Sequence, residues 1–194
     1  MERKSIPSML STTDAIVLSL QPHSDKAHVL HAYTRAGGRN NYMVYGLGRK
    51  NAAGKYSPLS LIQITTDDKS IRTAQLTYIP ASLTSDPYKR AITLFLSEVL
   101  YHVLRHPMQD EPMFDFLANA IQELDQTNQP QNFHLTFLTG LVAKLGFAMP
   151  QELSLPSSRR ERQEALKALC AYFETHVETW QTPKSLDILM EVFD

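Results

Sequence analysis

The hydrophobic period of this chain changes once, near Asp86-Pro87, and that change confines it to two unlike halves. Upstream, apolar residues alternate with a period of about 2; downstream they recur about every 3.6 residues. The upstream segments Ala15 to Leu20, His28 to Thr34, Arg39 to Leu47, Leu59 to Thr65 and Ile71 to Ile79 are short and rich in β-branched and aromatic residues, with Gly, Asn, Asp or Pro between them. They predict five short antiparallel strands.

Downstream, Asp86 is placed to cap a helix with Pro87 in its first turn and Ile92, Phe95, Leu96, Val99, Leu100, Val103 and Leu104 on one face. A second helix starts near Asp110 and turns Phe114, Leu117, Ile121 and Leu124 inward. A third runs from Asn132 through Leu145 and stops at Gly146. Ser158 followed by Glu161 has the pattern of a capping box for a fourth, which would bury Leu166, Leu169, Cys170, Phe173, Val177 and Trp180. Thr182-Pro183 opens a last short helix with Leu186, Met190 and Phe193 inward. The fold class is therefore α+β: residues 1–80 as a five-stranded OB-fold barrel, the usual answer for five strands, and residues 81–194 as an all-α helical bundle.

Charge follows the same division. Residues 1–80 carry ten Lys and Arg against five Asp and Glu, while residues 81–194 carry nine against fifteen, so a chain of net charge −1 joins a basic half to an acidic one. The cations cluster with glycines in HVLHAYTRAGGRNNYMVYGLGRKNAAGKYSP, from His28 to Pro58. One turn holds Arg35, Gly37, Gly38 and Arg39; the other holds Gly46, Gly48, Arg49, Lys50, Gly54 and Lys55. Cations on turns where glycine lets a backbone approach closely suit a polyanion such as DNA. The interleaved Tyr33, Tyr42, Tyr45 and Tyr56 could stack on bases. Strand parity puts Tyr42, Val44 and Gly46 on one face and Met43, Tyr45 and Leu47 on the other, so some of these tyrosines belong to the core.

Enzyme signatures fail on inspection. Gly48 to Lys55 echoes a phosphate-binding P-loop, yet five residues separate the glycines where that motif has four, and Tyr56 stands where a Ser or Thr would hold magnesium. His102 and His106 are spaced i, i+4 on the first helix without a general-base glutamate or a third ligand, so exposed-face histidines are expected. His28 and His31 fall on opposite faces of a strand, and Asp67-Asp68 reads as a turn. A single cysteine, Cys170, excludes an intramolecular disulfide and fits the core of its helix. No cofactor or metal is expected. The first residues, MERKSIPSMLSTTD, lack an apolar signal core, and no run is long and uncharged enough to span a bilayer, so a cytoplasmic protein without membrane contact is expected.

The patterns AIVLSLQPHSDKAHVLHAYTRAGGR and YGLGRKNAAGKYSPLSLIQI, then LFLSEVLYHVL, MFDFLANAIQELD, FHLTFLTGLVAKLGF and PKSLDILMEVF, resemble in order and spacing the RecO family of bacterial recombination mediators. The resemblance implies an OB-fold DNA-binding domain on a helical domain, and a non-enzymatic role in DNA repair. That role is to anneal complementary strands and help load recombinase onto coated single strands. It implies single- and double-stranded DNA, RecR and the acidic C-terminal tail of single-strand-binding protein as partners, and association with the nucleoid during repair. DNA contacts would fall on Arg35, Arg39, Arg49, Lys50 and Lys55, with Tyr56 beside them. The chain departs from the family in three places. The cysteine zinc module of many members is absent, the segment between Pro150 and Arg159 is shorter than theirs, and Gln131-Asn132 replaces a basic site for the acidic tail. Arg90, Arg105, Lys144 and Lys167 are substitutes for that site. The competing readings are a protein-interaction scaffold with weak DNA affinity and, behind it, a hydrolase whose residues meet only in space.

Overall fold

A computed structural model describes residues 10–47, 54–148 and 155–192. The chain divides into two compact units, Met1–Ile79 with His106–Glu111, and Pro80–Arg105 with Pro112–Asp194.

The first unit is a closed five-stranded barrel of order β1-β2-β3-β5-β4, the strand order of an OB fold. Its strands are β1 (Leu10–Ser24), β2 (Ala27–Thr34), β3 (Gly38–Tyr45), β4 (Leu61–Asp67) and β5 (Ser70–Tyr78). β1 is not short. Its 15 residues pair with β4 over Leu10 to Ile16 and with β2 over Ala15 to Ser24. Register shifts between Val17 and Ser19 and between Pro22 and Ser24 bend it around the barrel, and Pro22 is tolerated beside the second of them. Nor is the barrel wholly antiparallel, because β3 closes on β5 through one parallel pair, Met43 with Ser70. Val17, Leu30, Ala32, Val44, Tyr56, Ile62 and Ile64 form the interior.

The turn between β2 and β3 is covered by the chain itself. Residues 106–108 lie against it, with Arg39 N–H donating to the His106 carbonyl over 3.2 Å. Gly38 has φ +60°, and a Cβ there would stand 2.2 Å from the Met108 carbonyl oxygen. Only glycine fits both constraints.

The second unit is helical: α1 (Ala81–Ser85), α2 (Pro87–Val103), α3 (Glu111–Gln126), α4 (Phe133–Lys144), α5 (Arg159–His176) and α6 (Leu186–Val192). Asp86 caps α2 by accepting from the Tyr88 and Lys89 amides at 2.8 and 3.2 Å. The capping box at Ser158 and Glu161 is formed in full, and its amide donors hold the Glu161 carboxyl below the usual carboxylate range. The short α1 precedes Asp86 and is unforeseen by the periodicity. It is fastened by a polar cluster: Ser82 Oγ donates to the Asp125 carboxylate over 2.6 Å, and the buried Lys89 ammonium donates to Ser82 Oγ and the Asp125 carbonyl at 2.9 and 2.7 Å. Within α5, Cys170 is only half-buried, as are Val177 and Trp180 beyond it, while Leu166, Leu169 and Phe173 are fully covered. In α6 the buried residue is Leu189, with Leu186 and Met190 half-buried; Phe193 lies outside the described residues.

α2 stops at Val103, so His106 is not on it. Pro107 explains the stop: its ring excludes a helical i→i−4 bond and disfavours helical geometry at His106. His102 and His106 thus lose the one-face geometry that their spacing suggested. Burial pushes the His134 imidazole, in α4, down to about 4, with the Arg162 charge adding to the effect.

Two measurements follow from this packing. Gly38→Ala is expected to cost roughly 2–4 kcal/mol in urea unfolding. Gly54→Ala, whose added Cβ meets nothing within 4 Å, should stay within about 0.5 kcal/mol of the parent. His134 is neutral in the fold and has an ordinary pKa when unfolded, so its contribution is complete above about pH 6.5 and is lost as pH falls through about 4. Stability should therefore drop between pH 6.5 and 4, by at most about 1.4 kcal/mol per pH unit from this group. His134→Gln should flatten that drop in thermal melts; an unchanged slope would mean that His134 is not its source.

Candidate nucleic-acid interface

Two hairpin turns come together at one end of the barrel. The pairing of Ala27 with Tyr45 brings the β1–β2 turn, with Asp25 and Lys26, beside the end of β3. The pairing of Met43 with Ser70, supported by the Met43 amide donating to the Lys69 carbonyl over 2.7 Å, brings the β4–β5 turn to the same place. In an OB barrel this face of strands 2 and 3, between these two loops, is where oligonucleotides bind.

The outward residues of β3 here are Asn41, Met43 and Tyr45, as parity requires once Val44 is fixed inside. Tyr45 is 60% exposed. His31 on β2 faces Asn41, and its Nδ1 shares a 2.6 Å hydrogen bond in which the Asn41 amide oxygen accepts. Burial lowers the His31 pKa, Asn41 partly offsets this, and the Arg39 charge lowers it further, so the ring is neutral near pH 7. Lys26 and Lys69 are exposed at the turn tips. Acids accompany them: Asp25, Asp67 and Asp68 match Lys26, Lys69 and Arg72 in number, and Arg72 donates to the Asp67 carboxylate. Asp68 takes φ 53°, so the paired acids do form a turn. The charges described at this end therefore balance.

The residues singled out from sequence are scattered by the fold. Arg35 and Arg39 sit at the opposite end of the barrel, separated from Tyr45 by the length of β3, roughly 25 Å for eight residues. There Arg35 lies 3.9 Å from the Asp14 carboxylate, and Arg39 is half-buried beside the 106–108 segment. The turn that carries them is thus not an open loop tip. Arg49 and Lys50 lie outside the described residues. Lys55 donates from Nζ to the Ala74 carbonyl over 2.9 Å and stands 5.3 Å from the Tyr56 ring centre, closing the barrel wall. Tyr56 is a correction. It is 4% exposed and packed in the barrel interior, so its ring has no face for a base, and burial pushes its phenol up. Tyr33 is likewise buried, its phenol pushed up to about 12 by burial and by Asp110. Tyr42 is half-buried against the core.

Sequence reasoning missed Lys26 and Lys69. Each is one cation on a turn with acids beside it, and only the barrel order brings the two turns together. Among the described residues no three His, Cys, Asp or Glu side chains are grouped so that they could hold a metal ion, and Cys170, its thiol pushed up to about 11 by burial and Glu174, is a weak nucleophile.

Sequence relatives align with most of this chain. A protein named DNA repair protein RecO from Phocaeicola vulgatus is 28% identical over an alignment covering 95% of this chain and 100% of the relative. That from Porphyromonas gingivalis is 33% identical over 71% of this chain and 61% of its own length, and that from Christiangramia forsetii 27% identical over 95% and 100%. The family described as "Recombination protein O C terminal" matches residues 84–152. The chain is similar over nearly its whole length to proteins named RecO. Its alignment with the Phocaeicola protein runs over 240 positions against 194 residues here, so at least 46 positions of that RecO have no counterpart in this chain. Among the described residues no helix is long and apolar enough to cross a membrane.

The different fates of the tyrosines are measurable. Tyr56→Ala should cost about 3–5 kcal/mol of stability, as a buried aromatic truncation does. Tyr45→Ala should change it by less than about 0.5 kcal/mol, and equal costs would contradict the inward and outward assignment.

Proposed function

We propose that this chain is a DNA-repair and recombination mediator that holds DNA at the end of its barrel where the β1–β2 and β4–β5 turns meet. The observation that carries the reading is the exposed Tyr45 set between Lys26 and Lys69, at the point where the connection bearing Arg49 and Lys50 leaves the barrel. Lysines and arginines neutralise phosphates and release counterions, and an exposed tyrosine ring stacks on any base, so binding is tolerant of sequence. Phosphate neutralisation also removes the repulsion between two complementary strands, which is the physical requirement for annealing. Both single- and double-stranded DNA satisfy the phosphate part; only single strands expose bases to Tyr45. The names of the relatives support repair as the setting.

In this reading the protein makes and breaks no bonds. It helps load recombinase onto coated single strands by bringing DNA and proteins together, with RecR and the acidic tail of single-strand-binding protein as the family's partners, in the cytoplasm at the nucleoid. A scaffold with weak DNA affinity is the second reading. It is favoured by the matched acids at the barrel end and by the engagement of Arg35 with Asp14 and Lys55 with Ala74.

Titration of fluorescent single-stranded DNA at several salt concentrations separates the two. The mediator predicts an affinity that falls linearly on logarithmic axes with salt, and a shallower slope when Arg49 and Lys50 are changed to Glu. Tyr45→Ala should weaken binding by about 1–3 kcal/mol with the slope retained. Absence of binding at low salt, or binding indifferent to all these changes, would favour the scaffold.

A further inference from the structure

The outward stripe of β3 runs Asn41, Met43, Tyr45, and each of these residues faces a partner on β2: His31, Val29 and Ala27 in turn. Met43 and Val29 are half-buried, so they form an apolar shelf between the exposed amide of Asn41 and the exposed ring of Tyr45. Amide and ring each stand about 6.6 Å from Met43 along the strand, two residues away on either side. A base lying flat on that shelf beside Tyr45 turns an edge towards Asn41.

The Asn41 amide is fixed on one side. His31 is buried between Asn41 and Ser19 in its cross-strand row, and burial keeps the ring neutral, with a single ring proton. The 2.6 Å bond places that proton on Nδ1 and occupies the amide oxygen of Asn41. For the strand alone, a β-branched residue at position 31 would serve without a polar group to satisfy. Among the described residues the amide nitrogen of Asn41 makes no hydrogen bond, so this side chain shows solvent its donors and not its acceptor. An asparagine free to turn offers a donor and an acceptor together, the pair that matches N7 and the N6 amino group of adenine. Holding the oxygen removes that match. Guanine O6 and thymine O4 accept from an NH₂ group, whereas the amino groups that adenine and cytosine carry at the corresponding ring positions do not.

We propose that Asn41, held by His31, reads a base edge in the single-stranded DNA site and favours the keto bases thymine and guanine over the amino bases adenine and cytosine. Asn41 is the reader and His31 its positioning residue. The inference rests on the DNA-binding reading of the barrel and refines it. Tyr45 and the lysines act on any sequence, and one hydrogen bond from Asn41 adds a modest preference to that tolerant binding.

The test compares oligo(dT) with oligo(dC) of equal length, titrated against the full chain at neutral pH and one salt concentration. The native chain should bind oligo(dT) about three- to tenfold more tightly. Asn41→Ala should bring the two within about twofold, with the loss falling on oligo(dT). His31→Phe frees the amide to turn, so it should narrow the same gap while leaving affinity for oligo(dC) in place. Because Asn41 is exposed, its variant decides the question whether or not His31→Phe folds. A gap that survives Asn41→Ala belongs to base stacking and would overturn the proposal, as would equal binding of the two oligonucleotides, or tighter binding of oligo(dC), by the native chain. Tyr45→Ala should weaken both oligonucleotides and keep their ratio. If neither oligonucleotide binds, or if Tyr45→Ala changes neither, the barrel reading itself fails and this proposal falls with it.

Discussion

The barrel depends on β1 serving two neighbours at once. Its first half pairs with β4 and its second half with β2, and the handover occurs at the bulge around Leu18. There the Val17 amide donates to the Ser60 carbonyl and the Leu59 amide donates back to the Val17 carbonyl, at 3.0 and 2.8 Å. Leu59 adopts φ 59° to make this exchange, a conformation that costs a leucine energy and is repaid by its complete burial. Without the bulge, a strand of this length would run past a small barrel rather than close it. Closure in turn leaves β3 and β5 joined by a single parallel pair, and that pair sets the β4–β5 turn beside the β1–β2 turn.

Closure also decides which charges can act together. Cations that are neighbours in sequence are sent to opposite ends of β3. Those at one end are engaged by Asp14 and lie beside residues 106–108, while Lys26 and Lys69, 43 positions apart, are brought to one place with Tyr45. The imidazole on this face, His31, is held by Asn41, and the described cations brought beside Tyr45 are Lys26 and Lys69.

Much of this was legible before any coordinates. Alternation located all five strands, and the caps at Asp86 and Ser158 located two helix starts, because local backbone chemistry fixes both. The reach of β1 was hidden: Ser11, Thr12 and Thr13 at one end and Pro22 and His23 at the other carry a turn-like composition, and only pairing on both sides keeps them extended. Parity divided Tyr42 from Tyr45 correctly but did not say which side was core; Val44 decides that through burial. Tyr56 lies in a short turn of helix after a glycine-rich connection, where no period exists to read, and its place in the interior is a tertiary fact. The covering of Gly38 by residues 106–108 is a contact between segments about seventy residues apart in sequence, which no local pattern reports.

The measurement that bears most directly on this account is photo-crosslinking of single-stranded DNA carrying 5-iodouracil to the intact chain, with the adducts mapped by mass spectrometry. The account predicts adducts at Tyr45 and none at the buried Tyr33 and Tyr56. Adducts concentrated on the helical unit, or at the end of the barrel that carries Arg35 and Arg39, would contradict it.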